Sequence, residues 1–189
     1  ETLSLQADEA LHDREFPAID WTEFSLFVII GADPADVLRR WITDEGMESF
    51  FVEMMQIRRP DGELRARNSP ARIGDRFTWR WHNRRAQSGE YKRVDTDCAV
   101  FCFGESDVEI RVQPVSRGTM LRLRQFNIPD AAASRMHTHA NCRAAWVYFL
   151  TTLKALFEHG VDVRDHSREM GGAFSTFFDP ATAGWKDAA

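Results

Sequence analysis

The sequence predicts one α+β domain in which a curved antiparallel β-sheet wraps around a long C-terminal α-helix. With 189 residues, the chain suits a single domain with a sizeable core. Between residues 52 and 126, consecutive strand-like segments with short links indicate an antiparallel meander. The stretch NCRAAWVYFLTTLKALFEHG then has the apolar period of a helix of about five turns. A sheet that grips such a helix leaves a cavity between its concave face and the helix.

One strand and two short helices precede the meander. Phe24–Ile30 is continuously apolar and β-branched at its end, which is typical of a strand. The next segment, ADPADVLRRWITD, predicts a helix with Asp33 as its N-cap, Pro34 at its first position and Trp41 on its apolar face. Asp44 is then predicted to cap a second short helix, EGMESFF.

Six further strands are expected along the meander, and a polar loop over 63–75 separates the first two of them. Alternation of apolar and polar residues, clearest in RFTWRWH and TMLRLRQF, assigns one face of each strand to the interior. The predicted strands cover 52–59, 76–82, 89–95, 98–104, 108–115 and 119–126. The side chains expected on the inward face include Trp79, Trp81, Phe101 or Phe103, Leu121, Leu123 and Gln125.

The closing helix is the most regular element of the sequence. Asn141 is its candidate N-cap, and Gly160 suits the residue that follows its last turn. The apolar face of this helix begins with Trp146, Phe149, Leu150 and Leu153.

The stretch MHTHANCR, just before this helix, concentrates potential metal ligands. His137, His139 and Cys142 are residue types that bind zinc, but their spacing matches no standard zinc pattern and no carboxylate is close in sequence. We therefore predict no metal site. The stretch is interpreted as a loop that leads into a helix capped by Asn141, with both histidines near the mouth of the cavity.

Charge and cysteine content limit the classes of partner. The formal net charge of -5 argues against a nucleic-acid-binding protein, although residues 58–93 carry an excess of arginine. Solvated strand positions are the simplest explanation for these arginines. Three cysteines without a Cys-x-x-Cys pair predict no disulfide framework. Together with the lack of an apolar leader or of a run of about 20 apolar residues, this favours a cytoplasmic protein without membrane insertion.

The two ends of the chain look different from its middle. Residues 1–20 are interpreted as a polar lead-in, 21–165 as the domain and 166–189 as a C-terminal tail. The tail is Gly-rich and carries four late aromatic residues without a clear period, which suggests that it wraps the domain or meets a partner chain. A homodimer is therefore left open. The tail's aromatic residues are Phe174, Phe177, Phe178 and Trp185.

The order of these segments resembles the START-like (SRPBCC) superfamily, and within it the bacterial homologues of the activator of heat-shock chaperone ATPase. The resemblance covers roughly residues 24–160 and includes IGDRFTWRW, the hairpin VEIRVQPVSRGTMLRLRQFNIP and the long closing helix. Its most characteristic pattern is GT-x-L-x-L-x-Q, which begins at Gly118. The resemblance implies a helix-grip fold with a deep apolar cavity, but not a single activity.

We expect the protein to bind an apolar or amphipathic small molecule between sheet and helix, without a cofactor. The many aromatic residues, 14 Phe and 6 Trp, favour this, because they pack a core or line an apolar cavity. Gln125 is either a polar handle for the ligand or is satisfied by backbone at the strand end. Two alternatives stay open: an enzyme, cyclase-like or hydrolytic, and a co-chaperone-like interaction module. The predicted ligand-binding residues are Trp41, Trp79, Trp81, Phe101, Phe103, Leu121, Leu123, Gln125, His137, His139, Trp146, Phe149, Leu150 and Leu153.

Overall fold

The fold is an antiparallel sheet packed against a long helix. The structure is a computed structural model that describes residues 18–81, 84–164 and 166. In this part of the chain, seven strands form one sheet with the order β1-β7-β6-β5-β4-β3-β2, and every neighbouring pair is antiparallel. The strands are β1 (Phe24–Ile30), β2 (Met54–Arg58), β3 (Arg76–Arg80), β4 (Ala86–Val94), β5 (Cys98–Phe103), β6 (Ser106–Val115) and β7 (Gly118–Phe126). The predicted meander is therefore confirmed.

The register of the central strands explains which side chains enter the core. Leu121 on β7 lies opposite Val28 on β1 and Val112 on β6. Along β7, buried residues alternate with partly exposed ones, as the period of a strand requires. Leu121, Leu123 and Gln125 are all fully buried, as predicted.

Two short helices follow β1 at one end of the sheet, and one long helix closes the domain. The side chain of Asp33 accepts a hydrogen bond from the backbone N–H of Ala35 at 2.9 Å, so its predicted capping role is confirmed. The helices are α1 (Pro34–Ile42), α2 (Asp44–Phe50), the single turn α3 (Ala132–Ser134), the π-helical segment (Arg135–Ala140) and α4 (Asn141–His159).

The predicted cap of α2 was wrong by one residue. Thr43 is the N-cap, and its Oγ1 accepts a hydrogen bond from the backbone N–H of Gly46 at 3.1 Å. Asp44 is the first helical residue, and its carboxylate accepts instead from the backbone N–H of Asn68 at 2.7 Å. Asp44 therefore fastens the loop after β2 to the start of α2.

The predicted cap of the long helix was also wrong. Asn141 has helical backbone angles and continues the π-helical segment that follows Ala132–Ser134. His137 and His139 therefore lie within helical structure and not in a loop. The π-helical segment was not predicted, because the spacing of apolar residues does not reveal an i to i+5 hydrogen-bonding pattern. At the other end, Gly160 has φ 67° and terminates α4, as predicted.

Two side chains of α4 bind the C-terminal end of the free edge of β1. The Lys154 ammonium group donates to the carbonyl oxygen of Ile29 at 2.7 Å. The Glu158 carboxylate accepts from the backbone N–H of Gly31 at 3.0 Å. These two hydrogen bonds satisfy backbone groups that β1 cannot pair with another strand.

The chain that follows α4 is fastened to the C-terminal end of α2 by Arg164. Its guanidinium donates to the carbonyl oxygens of Glu48 at 3.0 Å and Ser49 at 2.8 Å, and the side chain is only 6% exposed. It also forms an ion pair with Asp162. Arg164 therefore satisfies carbonyls that the end of a helix leaves without partners.

The arginine-rich segment is divided between ion pairs and exposed positions. Arg65 forms an ion pair with the fully buried Asp75. Arg58 and Arg76 lie opposite each other on β2 and β3, and both are exposed. The simpler explanation, solvated strand positions, holds for this arginine pair.

Several predictions fall on residues outside the described ranges. They concern residues 1–17 of the lead-in, the last residue of the strand predicted over 76–82, and the tail from residue 167 onwards. The division into lead-in, domain and tail stays a prediction.

Candidate functional site

Phe51 lies at the centre of an aromatic cluster between the sheet and α4. Its ring stacks on that of Trp146, with 4.8 Å between centroids and 12° between planes. Edge-on contacts join it to Phe149 at 4.8 Å and to Trp81 at 4.7 Å. Phe51 is only 1% exposed. It immediately follows α2, so this short helix positions the side chain that connects the sheet with α4.

The aromatic cluster continues into the sheet. Trp79 on β3 stacks on Phe77, with 4.4 Å between centroids. The ring of Phe101 on β5 lies 6.2 Å from that of Trp79 and 6.5 Å from that of Trp41 of α1. These four rings are fully or almost fully buried, and they extend the apolar layer towards α1.

Three aromatic side chains form the accessible edge of this layer. Trp81, Phe103 and Phe149 are partly buried, whereas their neighbours Phe51 and Trp146 are fully buried. Trp81 and Phe149 lie 6.1 Å apart, and Phe103 lies 5.2 Å from Trp146. We call Trp81, Phe103 and Phe149 the aromatic rim. These three rings are the part of the aromatic cluster that solvent reaches.

Gln125 joins β7 to α4 through two side-chain hydrogen bonds. Its Oε1 accepts from the indole N–H of Trp146 at 2.8 Å, and its Nε2 donates to the Ser106 hydroxyl at 2.8 Å. The Ser106 hydroxyl in turn donates to the carbonyl oxygen of Phe103 at 2.9 Å. The buried amide is therefore satisfied by side chains, and not by the backbone at the strand end.

Two buried tryptophans differ from Trp146. Within the described residues, the indole N–H groups of Trp41 and Trp79 have no hydrogen-bond partner. Both side chains are 0% exposed. A buried donor without an acceptor is uncommon in folded proteins, so these two groups need an explanation.

The remaining apolar candidates lie in the core behind the aromatic cluster. Leu121 and Leu123 are fully buried on β7, and Leu150 and Leu153 are buried on α4. The structure therefore brings together the aromatic and aliphatic candidates of sheet and helix around one layer.

The two histidines lie apart from this layer. His139 is 4% exposed and packs edge-on between Trp21, at 5.0 Å, and Phe24, at 5.2 Å. Its Nε2 lies 3.2 Å from the carbonyl oxygen of Glu23. His137 is exposed on the π-helical segment. His139 thus has a packing role beside β1, and its place at a ligand entrance stays a prediction.

The Cys142 thiol lies beside the buried Gln125 and is itself largely buried. Burial raises its pKa to about 11, and hydrogen bonding with Gln125 opposes this only in part. The thiol lies 3.6 Å from the carbonyl oxygen of His137. At neutral pH, Cys142 is therefore a protonated, weakly nucleophilic group.

A polar pocket of about 350 Å³ opens between α1, α2 and the end of α4. Arg39 and Arg40 line it together with Asp36 and Glu45, so its charges balance, and Phe157 closes one side. Among the described residues, no three His, Cys, Asp or Glu side chains are placed to hold a metal ion. In the same part of the chain, no helix is long and apolar enough to cross a membrane.

Two important residues were missed from the sequence. Phe51 follows a helix of only seven residues, too short for an apolar period to single it out. Ser106 lies 19 residues from Gln125 in sequence and becomes its partner only through the pairing of β6 with β7. For Phe51, the only signal in the sequence was the pair of phenylalanines that ends EGMESFF.

Comparisons with solved structures identify the architecture. The chain is similar to protein SSP2350 from Staphylococcus saprophyticus, with a TM-score of 0.60 and 17% identity over 75% of this chain and 95% of that one. It is also similar to the Aha1 dimer from Colwellia psychrerythraea, with a TM-score of 0.58 and 15% identity over 73% and 97%. The chain has a START-like helix-grip fold.

The chain is similar to a third structure, that of DynU16, a putative protein in the dynemicin biosynthetic locus. The TM-score is 0.60 and the identity 14%, over 77% of this chain and 50% of that one. No protein-family model and no curated protein sequence matches the chain. At these identities the likenesses establish the fold alone, and they confirm the fold that the sequence resemblance implied.

Proposed function

We propose that the protein binds an apolar or amphipathic small molecule between its sheet and α4. The observation that carries this proposal is the aromatic rim, in which Trp81, Phe103 and Phe149 stay partly exposed over the buried pair Phe51 and Trp146. Aromatic side chains with few polar groups among them are the usual lining of small-molecule sites, and this composition supports the proposal. Affinity would come mainly from burial of apolar ligand surface, at roughly 25 cal/mol per Å² before the costs of association.

The START-like fold is a second support for the proposal. DynU16, one of its structural neighbours, is a putative protein in the dynemicin biosynthetic locus, and this supports a role with small molecules. The described groups nearest to the aromatic cluster do not favour an enzyme, because the Cys142 thiol is protonated at neutral pH and Gln125 is held by Ser106 and Trp146. Binding without catalysis is therefore the preferred function.

Binding of the neutral fluorescent probe N-phenyl-1-naphthylamine tests this proposal. We expect Phe149→Arg, which places a charge in the aromatic rim, to weaken binding at least about tenfold because the probe would have to bury that charge. The matched control is Val147→Arg on the same helix, where the native side chain is 52% exposed and lies outside the aromatic cluster. Equal affinities for wild type and both variants would contradict the proposal.

Native mass spectrometry of the protein from its own host supplies a second test. A retained small molecule, lost in Phe149→Arg and kept in Val147→Arg, would support binding at the aromatic rim. Retention of the same molecule by both variants would place it elsewhere.

We also propose that the outer face of β1 mediates self-association. Phe27 is 63% exposed and Ile29 49% exposed, and both project from the face opposite the core. Apolar pairs of this kind are typical of protein interfaces. The Aha1 structure from Colwellia psychrerythraea, which shares the fold, is a dimer.

Light scattering after size-exclusion chromatography tests the dimer. We expect a dimer mass for the wild type and a monomer mass for Phe27→Lys. Ile73→Lys is the control, because Ile73 is 69% exposed but lies in the loop before β3. A monomer mass for the wild type at high protein concentration would contradict the dimer.

A further inference from the structure

The chain that leaves α4 passes beside the aromatic rim. Arg164 donates to the carbonyl oxygen of Val52, the residue after Phe51, at 3.4 Å. The carbonyl oxygen of Val163 accepts from the Tyr148 hydroxyl at 3.2 Å. The Tyr148 ring in turn packs edge-on against the rim member of α4, with 5.4 Å between centroids. Residues 163 and 164 are thus held near Phe51 and near the aromatic rim.

A block of phenylalanines follows in the sequence. Residues 167–189 lie outside the described ranges, and they contain the stretch FSTFF at 174–178. Three of its five residues are aromatic, and none is charged. The chain from His166, the last described residue, to Phe174 spans up to about 26 Å when extended. FSTFF is therefore tethered within reach of the aromatic rim.

The aromatic rim and FSTFF have matching chemistry. Trp81, Phe103 and Phe149 keep part of their ring surface in contact with water. Aromatic rings gain free energy when they leave water, and neighbouring rings add edge-on or offset contacts. FSTFF supplies three further rings without a charge that would lose its hydration on docking. Trp185, the fourth aromatic residue of the tail, lies next to the charged Lys186, so FSTFF is the better match.

We propose that FSTFF docks on the aromatic rim of its own chain and competes there with a ligand. Because Arg164 anchors the chain beside the rim, docking is intramolecular. A short tether gives an attached segment an effective concentration on the order of millimolar, which favours it over the same segment of a second copy. A ligand binds only the chains whose rim is open, so docking lowers its apparent affinity. The competition rests on the proposed function, whereas the docking does not.

Photo-crosslinking in the full chain tests the docking. Benzoylphenylalanine incorporated in place of Phe177 should crosslink to peptides that contain Trp81, Phe103 or Phe149, in a product with the mass of one chain. The control carries the same label in place of Lys186, in the same tail but outside FSTFF, and should crosslink to these peptides at least about tenfold less. Crosslinks to other surfaces alone, or only between two chains, would overturn the docking.

A fluorescence titration with N-phenyl-1-naphthylamine tests the competition. The double variant Phe177→Ser, Phe178→Ser should bind the probe about three- to tenfold more tightly than the wild type, because FSTFF no longer occupies the rim. Met170→Ser, an apolar change in the same tail before FSTFF, is the control and should bind like the wild type. Equal affinities for the wild type and the double variant would overturn the competition. Failure of all three proteins to bind the probe would contradict the proposed function, while the crosslinks still decide the docking.

Discussion

The indole N–H of Trp146 donates to Oε1 of Gln125 at 2.8 Å and thereby joins α4 to β7 across the core. The same amide donates to the Ser106 hydroxyl at 2.8 Å. Helix and sheet are therefore connected by a short polar chain inside an otherwise apolar layer. A network of this kind fixes the position of the helix more specifically than apolar contacts do, because every member must find its partner.

Replacement of this amide should destabilise the fold. Gln125→Leu leaves the Trp146 indole and the Ser106 hydroxyl without their partner, and we expect a loss of about 2 kcal/mol in the free energy of unfolding. Urea denaturation followed by circular dichroism measures it. Gln113→Leu on the exposed face of β6 is the control and should change stability by less than about 0.5 kcal/mol. An unchanged unfolding midpoint for Gln125→Leu would contradict a structural role for the amide.

The Arg164 contact predicts a specific pH dependence of stability. Burial alone would raise the pKa of Asp162, but hydrogen bonds from Arg164 and His166 outweigh burial and lower it from 3.8 to about 2. Because the folded-state pKa is depressed, this stabilisation is complete above pH 3.8 and is lost as the pH falls towards about 2. Its full size is about 2 kcal/mol.

Arg164→Met should remove most of this dependence. The variant loses the ion pair with Asp162 and leaves the carbonyls at the end of α2 unpaired, so it should be less stable than the wild type at neutral pH. Its stability should then decrease less than that of the wild type as the pH falls. Urea titrations at a series of pH values measure both effects. Arg135→Met is the control. It removes an exposed ion pair with Asp130 and should give the same dependence of stability on pH as the wild type. A parallel pH profile for Arg164→Met and wild type would refute the linkage.

Gly89 on β4 makes room for the Phe77 ring. A Cβ at this position would overlap with that ring, which itself stacks on Trp79. We expect Gly89→Ala to destabilise the protein by about 1–3 kcal/mol and to weaken probe binding at the aromatic rim, because the aromatic stack must shift. Gly31→Ala is the control, since its Cβ would meet only the flexible Glu158 side chain at 3.5 Å. Thermal unfolding and the same fluorescence titration distinguish the two variants.

The Cys142 thiol should react slowly with alkylating reagents. Burial raises its pKa from 9.0 to about 11, so the thiolate is scarce below pH 9. Mass spectrometry after timed treatment with iodoacetamide should show slower modification of Cys142 than of a free cysteine peptide, with the rate still rising above pH 9. Rapid modification at neutral pH would show that the thiol is less buried than the structure indicates.

The sequence predicted the architecture well because local patterns determine strands and helices. The alternation along Gly118–Phe126 and the apolar face of α4 were both confirmed. The errors lie where the local signal is ambiguous, since both Thr43 and Asp44 are good capping residues and only Thr43 forms the cap. Asn141 resembled a cap because a polar residue preceded the apolar face, but the helical path had already begun at Ala132.

The candidate site was less predictable because its decisive relationships are not local. Phe51 was overlooked although its ring contacts both Trp146 and Trp81. The partners of Gln125, at separations of 19 and 21 residues, follow from strand register and helix docking. The different hydrogen-bonding states of Trp146 and Trp79 cannot be read from sequence, because a tryptophan on an apolar face has the same pattern in either state.

The contacts of Lys154 and Glu158 with β1 also bear on how the protein avoids aggregation. An edge strand with free backbone groups can recruit strands from other chains and start a fibril. Lys154 and Glu158 form hydrogen bonds with the carbonyl of Ile29 and the N–H of Gly31, so these two groups are not free to pair with an incoming strand. Strand addition is therefore blocked at this end of the edge, and a dimer formed by Phe27 and Ile29 would join through faces of the sheets.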